Sequence, residues 1–147
     1  MQTLSKSSFA LVLAALVAGC AGSGMQTAPE SSLYQRLGGK DAITAVVDDF
    51  VANVAADRRI NGRFANTDIP RLKSLLVEQI CQAGGGPCSY SGRSMRVAHA
   101  GMNISEAEFN ALVGDLVASL DKFKLPPREK GELLDALGGM KGDIVRQ

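Results

Sequence analysis

The 147-residue chain holds a single histidine, His99, and three cysteines, Cys20, Cys81 and Cys88. These are the side chains whose types invite chemistry. A neutral imidazole binds a transition metal through one ring nitrogen while an acceptor orients the other. With no second histidine, a metal on His99 cannot be held by two imidazoles of one chain. On its own, a solitary histidine is as readily a surface or core residue. Cys81 and Cys88 flank residues 82–87 (QAGGGP), a Gly-rich turn able to bring them within bonding range. A disulfide, two free thiols or a zinc site shared with His99 all remain open. Zinc lacks the usual C-x2-4-C spacing and an obvious fourth ligand.

Cys20 reads differently. Residues 1–8 are polar and carry Lys6, and residues 9–18 (FALVLAALVA) are apolar but too short to span a bilayer. That is the layout of a secretory signal. The run ends LVAGC, which resembles the bacterial lipobox, so residues 1–19 read as a lipoprotein signal peptide and Cys20 as the lipidated residue. An ordinary signal that happens to contain Cys20 is the alternative. Residues 20–32 are rich in Gly, Ser, Ala and Pro and read as a flexible tether. The expected location is a bacterial membrane, lipid-anchored and facing the periplasm. The lack of Asp after Cys20 suits outer-membrane sorting. With Cys20 acylated, Cys81 and Cys88 remain as an even pair in an oxidising compartment, where a disulfide is expected.

The elements that must position His99 are helical. Lys and Arg number 16 against 15 Asp and Glu, so no basic excess asks for nucleic acid and no acidic tract marks a tail. Trp is absent, and the core must be aliphatic. From Leu33 onward apolar residues follow the helical period, predicting one all-α domain over residues 33–147. Leu33 to Leu37 predicts a short turn stopped by Gly38 and Gly39. Asp41 then caps a helix burying Ile43, Val46, Val47, Phe50, Val51 and Val54. Residues 58–68 are turn-rich. Pro70 opens a helix whose inward stripe is Leu72, Leu75, Leu76 and Ile80, ended by residues 84–87 (GGGP). Ser94 caps a short piece through Met95 and His99, broken at Gly101. Ser105 and Glu108 form a capping box for a helix bearing Phe109, Leu112, Leu116 and Leu120. After Pro126 and Pro127 a last helix carries Leu133, Leu134, Leu137, Met140 and Ile144.

In this order the motifs resemble those of group 1 truncated haemoglobins. Residues 33–39 (LYQRLGG) are similar to the family's L-Y-x-x-x-G-G opening, and residues 47–50 (VDDF) to its first long-helix motif. Arg63 and Phe64 fall where the family keeps a phenylalanine against haem. Residues 85–87 (GGP) and 90–92 (YSG) resemble its loop, and residues 94–101 (SMRVAHAG) the segment with the iron-binding histidine. Residues 101–105 (GMNIS), followed by Phe109, continue the likeness. The resemblance implies a two-over-two helical sandwich and haem b held through His99. It implies an apolar cage of Phe50, Phe64, Leu72, Leu76, Met95, Phe109, Leu112 and Leu116. Tyr90, Arg93 and Arg96 become candidates for the haem propionates, since carboxylates favour Arg pairing. No C-x-x-C-H run supports covalent attachment.

The chain departs from that pattern on the ligand side. Val51 stands at the position after Phe50, where these globins often have tyrosine, and Leu76 where they often have glutamine. Gln79 is the nearest polar substitute and is expected to face elsewhere. Without a donor, oxygen affinity should fall roughly ten- to a hundredfold, the worth of a hydrogen bond of about 1.5 to 3 kcal/mol. The expected function is therefore binding of diatomic gases (O2, NO, CO) at an open iron site with an apolar distal pocket, rather than carriage. A nitric-oxide dioxygenase or peroxidase-like enzyme, served by an unidentified reductase, is one alternative. A haem-free helical interaction domain is the other.

Overall fold

The computed structural model describes residues 30–147. Cys20, the apolar run and most of the tether lie outside the described residues. Six α-helices follow one another: α1 (Leu33–Arg36), α2 (Gly39–Ala56), α3 (Ile69–Ala83), α4 (Met95–His99), α5 (Glu106–Lys122) and α6 (Pro127–Gly138). Short 3-10 turns occupy Asn61–Phe64 and Lys141–Asp143. Among the described residues the only β-type pairing is an isolated bridge between Ile104 and Val145. No described helix is long and apolar enough to cross a membrane.

The helix starts follow from local chemistry. Ser32 and Gln35 form a reciprocal capping box on α1, and Ser105 and Glu108 do the same on α5. Asp68 accepts from the Arg71 N–H at the head of α3, with Pro70 in the first turn. Ser94 caps α4 through the Val97 N–H. The expected cap at Asp41 is corrected: α2 already begins at Gly39, with Gly38 at its N-cap. Gly38 and Gly39 take φ of 91° and 76°, which lets the chain reverse out of α1 straight into the new helix. Asp41 then lies inside the first turn, where its charge suits the positive end of the helix dipole.

The helices stack as two layers, with α2 packed extensively on both α3 and α5, and α6 closing against α3 and α1. Val47, Leu120 and Leu133 are 1% exposed at the centre and Cys81 is fully buried. Each such aliphatic side chain contributes about 1.5–3 kcal/mol by leaving water. One polar tie crosses the α2–α5 contact. The buried Ser119 hydroxyl donates to Asp49 Oδ2 at 2.9 Å and accepts from Asn53 Nδ2 at 2.9 Å. Lys122 pairs with the same carboxylate, and these contacts hold Asp49 below the usual carboxylate range, Lys122 first and Ser119 next.

Two further expectations are corrected. The fully buried residues of α3 are Val77, Ile80 and Cys81, whereas Leu72, Leu75 and Leu76 are only half-buried. The helix is apolar on a face wider than α2 covers, so part of that face looks elsewhere. Met140 and Ile144 do not ride on the last helix, which ends at Gly138. Consecutive Gly138 and Gly139 carry a high helical cost, and the chain folds back so that Val145 bridges to Ile104.

Candidate functional site

His99 closes the short helix α4 and is half-buried. Its Nδ1 lies 2.8 Å from the Met95 carbonyl oxygen, one helical turn earlier. In the tautomer with hydrogen on Nδ1, that nitrogen donates to the carbonyl and Nε2 is left with its lone pair. An imidazole fixed this way is a metal donor with its orienting acceptor already in place.

The apolar residues expected around it divide into two sets. Phe50, Val51 and Leu116 are buried members of the core cluster, and Phe64, Leu76 and Leu112 are half-buried and packed against it. Leu72 and Met95 are half-buried but lie outside that cluster, as do Leu75, Met102, Met140 and Ile144. Phe109 is 8% exposed and also outside it, with the Lys141 ammonium 5.4 Å from its ring centroid. A second apolar set therefore sits on α3, on α4, around the α4–α5 turn and in the C-terminal segment. Half-buried apolar residues not absorbed by the core suit a flat, greasy ligand between the helices that carry them.

Gln79 Nε2 donates to Met140 Sδ at 3.0 Å and to Met95 Sδ at 3.4 Å, so the structure turns it toward these two sulfurs. Thioether sulfur is a weak acceptor, so this half-buried amide is only weakly satisfied. Leu76 and Gln79, three apart on α3, share one face of the helix.

Two of the three polar candidates, Tyr90 and Arg96, are engaged by protein. The Tyr90 hydroxyl donates to the Arg93 carbonyl at 3.0 Å, and burial raises its pKa. Arg96 pairs with Asp143 at 2.5 Å and donates to Gln147 Oε1 at 3.0 Å. Arg93 is exposed. Sequence reasoning missed Arg63, which donates to Glu108 at 2.7 Å and to the Met102 carbonyl at 3.0 Å. This tie fastens the turn after α2 to the segment just past His99. Glu108, gripped by Arg63 and by the Ser105 N–H and hydroxyl, is lowered from 4.5 to about 2.

Cys81 and Cys88 are bonded to each other, with Cα atoms 5.7 Å apart. No thiolate of this pair is left for zinc, and among the described residues no group of three His, Cys, Asp or Glu side chains could hold a metal. A Cβ on Gly86 would come within 2.6 Å of the Tyr34 ring and 2.7 Å of Cys81 Sγ. The Tyr34 N–H donates to the Gly84 carbonyl at 2.7 Å, so the opening motif and the Gly-rich loop are one contact in space. Two concavities found on the described residues do not reach His99. A cavity of about 10 Å³ sits among Leu37, Ile43 and Leu133, and a groove of about 220 Å³ lies between Lys40, Asp48 and Lys73.

The model of the bacterial-like globin family matches residues 32–146. The chain is a bacterial-like globin. It is 34% identical over 118 residues to a group 1 truncated hemoglobin from Mycolicibacterium paratuberculosis, spanning 80% of this chain and 87% of that one. It is 32% identical over 117 residues to the group 1 truncated hemoglobin of Nostoc commune, spanning 80% and 99%. Among solved structures, this globin resembles the ferric truncated hemoglobin of Tetrahymena pyriformis with a TM-score of 0.76 and 29% identity, over 80% of this chain and 100% of the other. It also resembles the 2/2 hemoglobin of Synechococcus, solved with covalently attached heme, with a TM-score of 0.74 and 30% identity over 78% and 98%. The two-over-two sandwich expected for this globin is the fold observed.

Proposed function

We propose that this globin binds haem b through His99 and that the iron so held would take diatomic gases (O2, NO, CO) at an open site. The observation that carries the reading is the His99 ring. One nitrogen is tied to the Met95 carbonyl at 2.8 Å and the other is left for a metal. Truncated hemoglobin relatives over most of the chain support the same cofactor. Haem, held by His99, would supply an iron able to bind a small gas molecule. The protein's part is to hold the imidazole, exclude water and set the polarity of the gas side.

The two positions where the family often carries polar groups are apolar here, although Gln79 shares the Leu76 face of α3. Val51 is 7% exposed within the core and Leu76 packs against it, so neither offers a donor. Gas binding without turnover follows more naturally than an oxidative enzyme, which needs a proton donor or acceptor beside the ligand. We further propose that the domain is exported and lipid-anchored through Cys20, on the strength of the LVAGC run.

Optical spectra of the purified full chain in ferric, ferrous and carbonyl states test the cofactor reading. A Soret band that is lost in His99→Gly and regained on adding imidazole is the expected result. A band of unchanged position and intensity in His99→Gly would sink the assignment. Radiolabelled palmitate incorporated by the wild type and not by Cys20→Ser tests the anchor; equal labelling of both would refute it.

A further inference from the structure

α4 has only five residues, too few to be stable by itself. Whatever holds it holds His99. Its chief packing partner is the turn Lys141–Asp143, whereas the longer helices pack mainly on α2 or on each other. The fastening is specific. Arg96 on α4 pairs with Asp143 at 2.5 Å and donates to Gln147 Oε1 at 3.0 Å. Just past His99, the Asn103 N–H donates to the Gln147 carbonyl at 2.9 Å, and the Arg146 N–H donates to the Ile104 carbonyl at 2.9 Å. Lys141 pairs with Glu106 in the first turn of α5 at 2.5 Å. Asn103 and Arg146 take φ of 48° and 60° at this crossing, a left-handed backbone that costs energy at a residue like Arg and persists only where surroundings impose it.

We infer that residues 140–147 form a clamp that positions His99 by holding α4 from outside the core, with Asp143 acting on the histidine through Arg96. Asp143 does not touch the metal-binding atom; it is a positioning residue. The clamp's side-chain fastenings are exposed ion pairs, which are individually weak and screened by salt. The iron-side geometry of this globin is thereby governed from its surface, and loosening the clamp changes α4 before it changes the core. The spectroscopic part of this inference rests on haem binding by His99, but the mobility part does not.

The test uses the full chain, with haem and after haem extraction. Asp143→Ala breaks the clamp pair, Asp143→Glu keeps the charge, and Asp48→Ala breaks a comparably exposed pair, Lys73–Asp48, between α2 and α3. Hydrogen exchange of the amides of residues 95–103 is read in the extracted protein. The iron–histidine stretching band is read by resonance Raman in the ferrous haem protein. Asp143→Ala should speed exchange by up to about fivefold, the worth of one exposed pair, and shift or broaden the band. Asp143→Glu should restore both, and Asp48→Ala should alter neither. Exchange in Asp143→Ala equal to wild type, or an equal change in Asp48→Ala, would overturn the clamp. Loss of the band from every variant together with accelerated exchange in Asp143→Ala alone would overturn the haem reading and leave the clamp standing.

Discussion

The Cys81–Cys88 bond makes the sharpest energetic prediction. The two cysteines are seven apart, closing a loop of about eight residues. In the chain-entropy account the crosslink removes about 8.3 cal/mol/K from the unfolded chain, or about 2.5 kcal/mol at 25 °C. Unfolding entropy of about 2.1 cal/mol/K per residue over the domain is roughly 0.24 kcal/mol/K, so losing the bond should lower Tm by about 10 °C. The two cysteines are not equivalent. Cys88 is half-buried and Cys81 is fully buried in the core. Cys88→Ser should show the loss of the crosslink alone, because the Cys81 thiol stays behind as a small apolar side chain. Cys81→Ser adds a hydroxyl in a closed apolar site, a further ~1–3 kcal/mol and roughly 4 to 12 °C. Thermal melts followed by circular dichroism, on the full chain with and without dithiothreitol, would measure both. Reduced wild type should melt with Cys88→Ser. A difference under about 3 °C between oxidised wild type and Cys88→Ser would refute the entropy reasoning. Equal melting of the two variants would refute the burial reasoning.

Other expectations follow from single groups. Leu76→Gln should slow oxygen dissociation roughly ten- to a hundredfold by supplying a donor, measured by stopped-flow displacement with carbon monoxide; an unchanged rate would mean that this face of α3 does not look onto the gas. Asp115 has an oxygen buried without a hydrogen-bond partner, and burial raises its pKa, helped by Asp57 and opposed by Arg59. Its ionised form therefore weakens the fold above that raised pKa, so Asp115→Asn should raise Tm at pH 7 and melt with wild type near pH 3; a lower Tm at pH 7 would count against this. Glu108 is lowered from 4.5 to about 2, so its contribution is complete above pH 4.5 and disappears as pH falls toward about 2. Glu108→Gln keeps a capping side chain but loses the charge facing Arg63. It should melt below wild type at neutral pH, with the gap closing across that acid window, and a gap independent of pH would contradict the assignment.

Much of the fold was legible along the chain because its signals are local. A capping serine satisfies N–H groups two or three residues away, and a proline fixes its own φ. Ser94, Ser105 and Pro70 therefore mark helix starts without reference to anything distant. The ordered motifs around His99 pointed to the family for a related reason. Tyr34, Gly84 and Gly86 touch, so the opening motif and the Gly-rich loop constrain each other's residue types.

Tertiary structure alone decided which apolar residues are core. Helical periodicity identifies a face but not its partner, and α3 is apolar over more than one face. Only the approach of α2 buries Val77 and Ile80 and leaves Leu72 and Leu75 outside the core. The same limit hid the turn of Gln79 toward Met95 and the fold-back of Val145 onto Ile104. These contacts join residues far apart in sequence, and their energy depends on how the chain closes in space, which no spacing along it encodes.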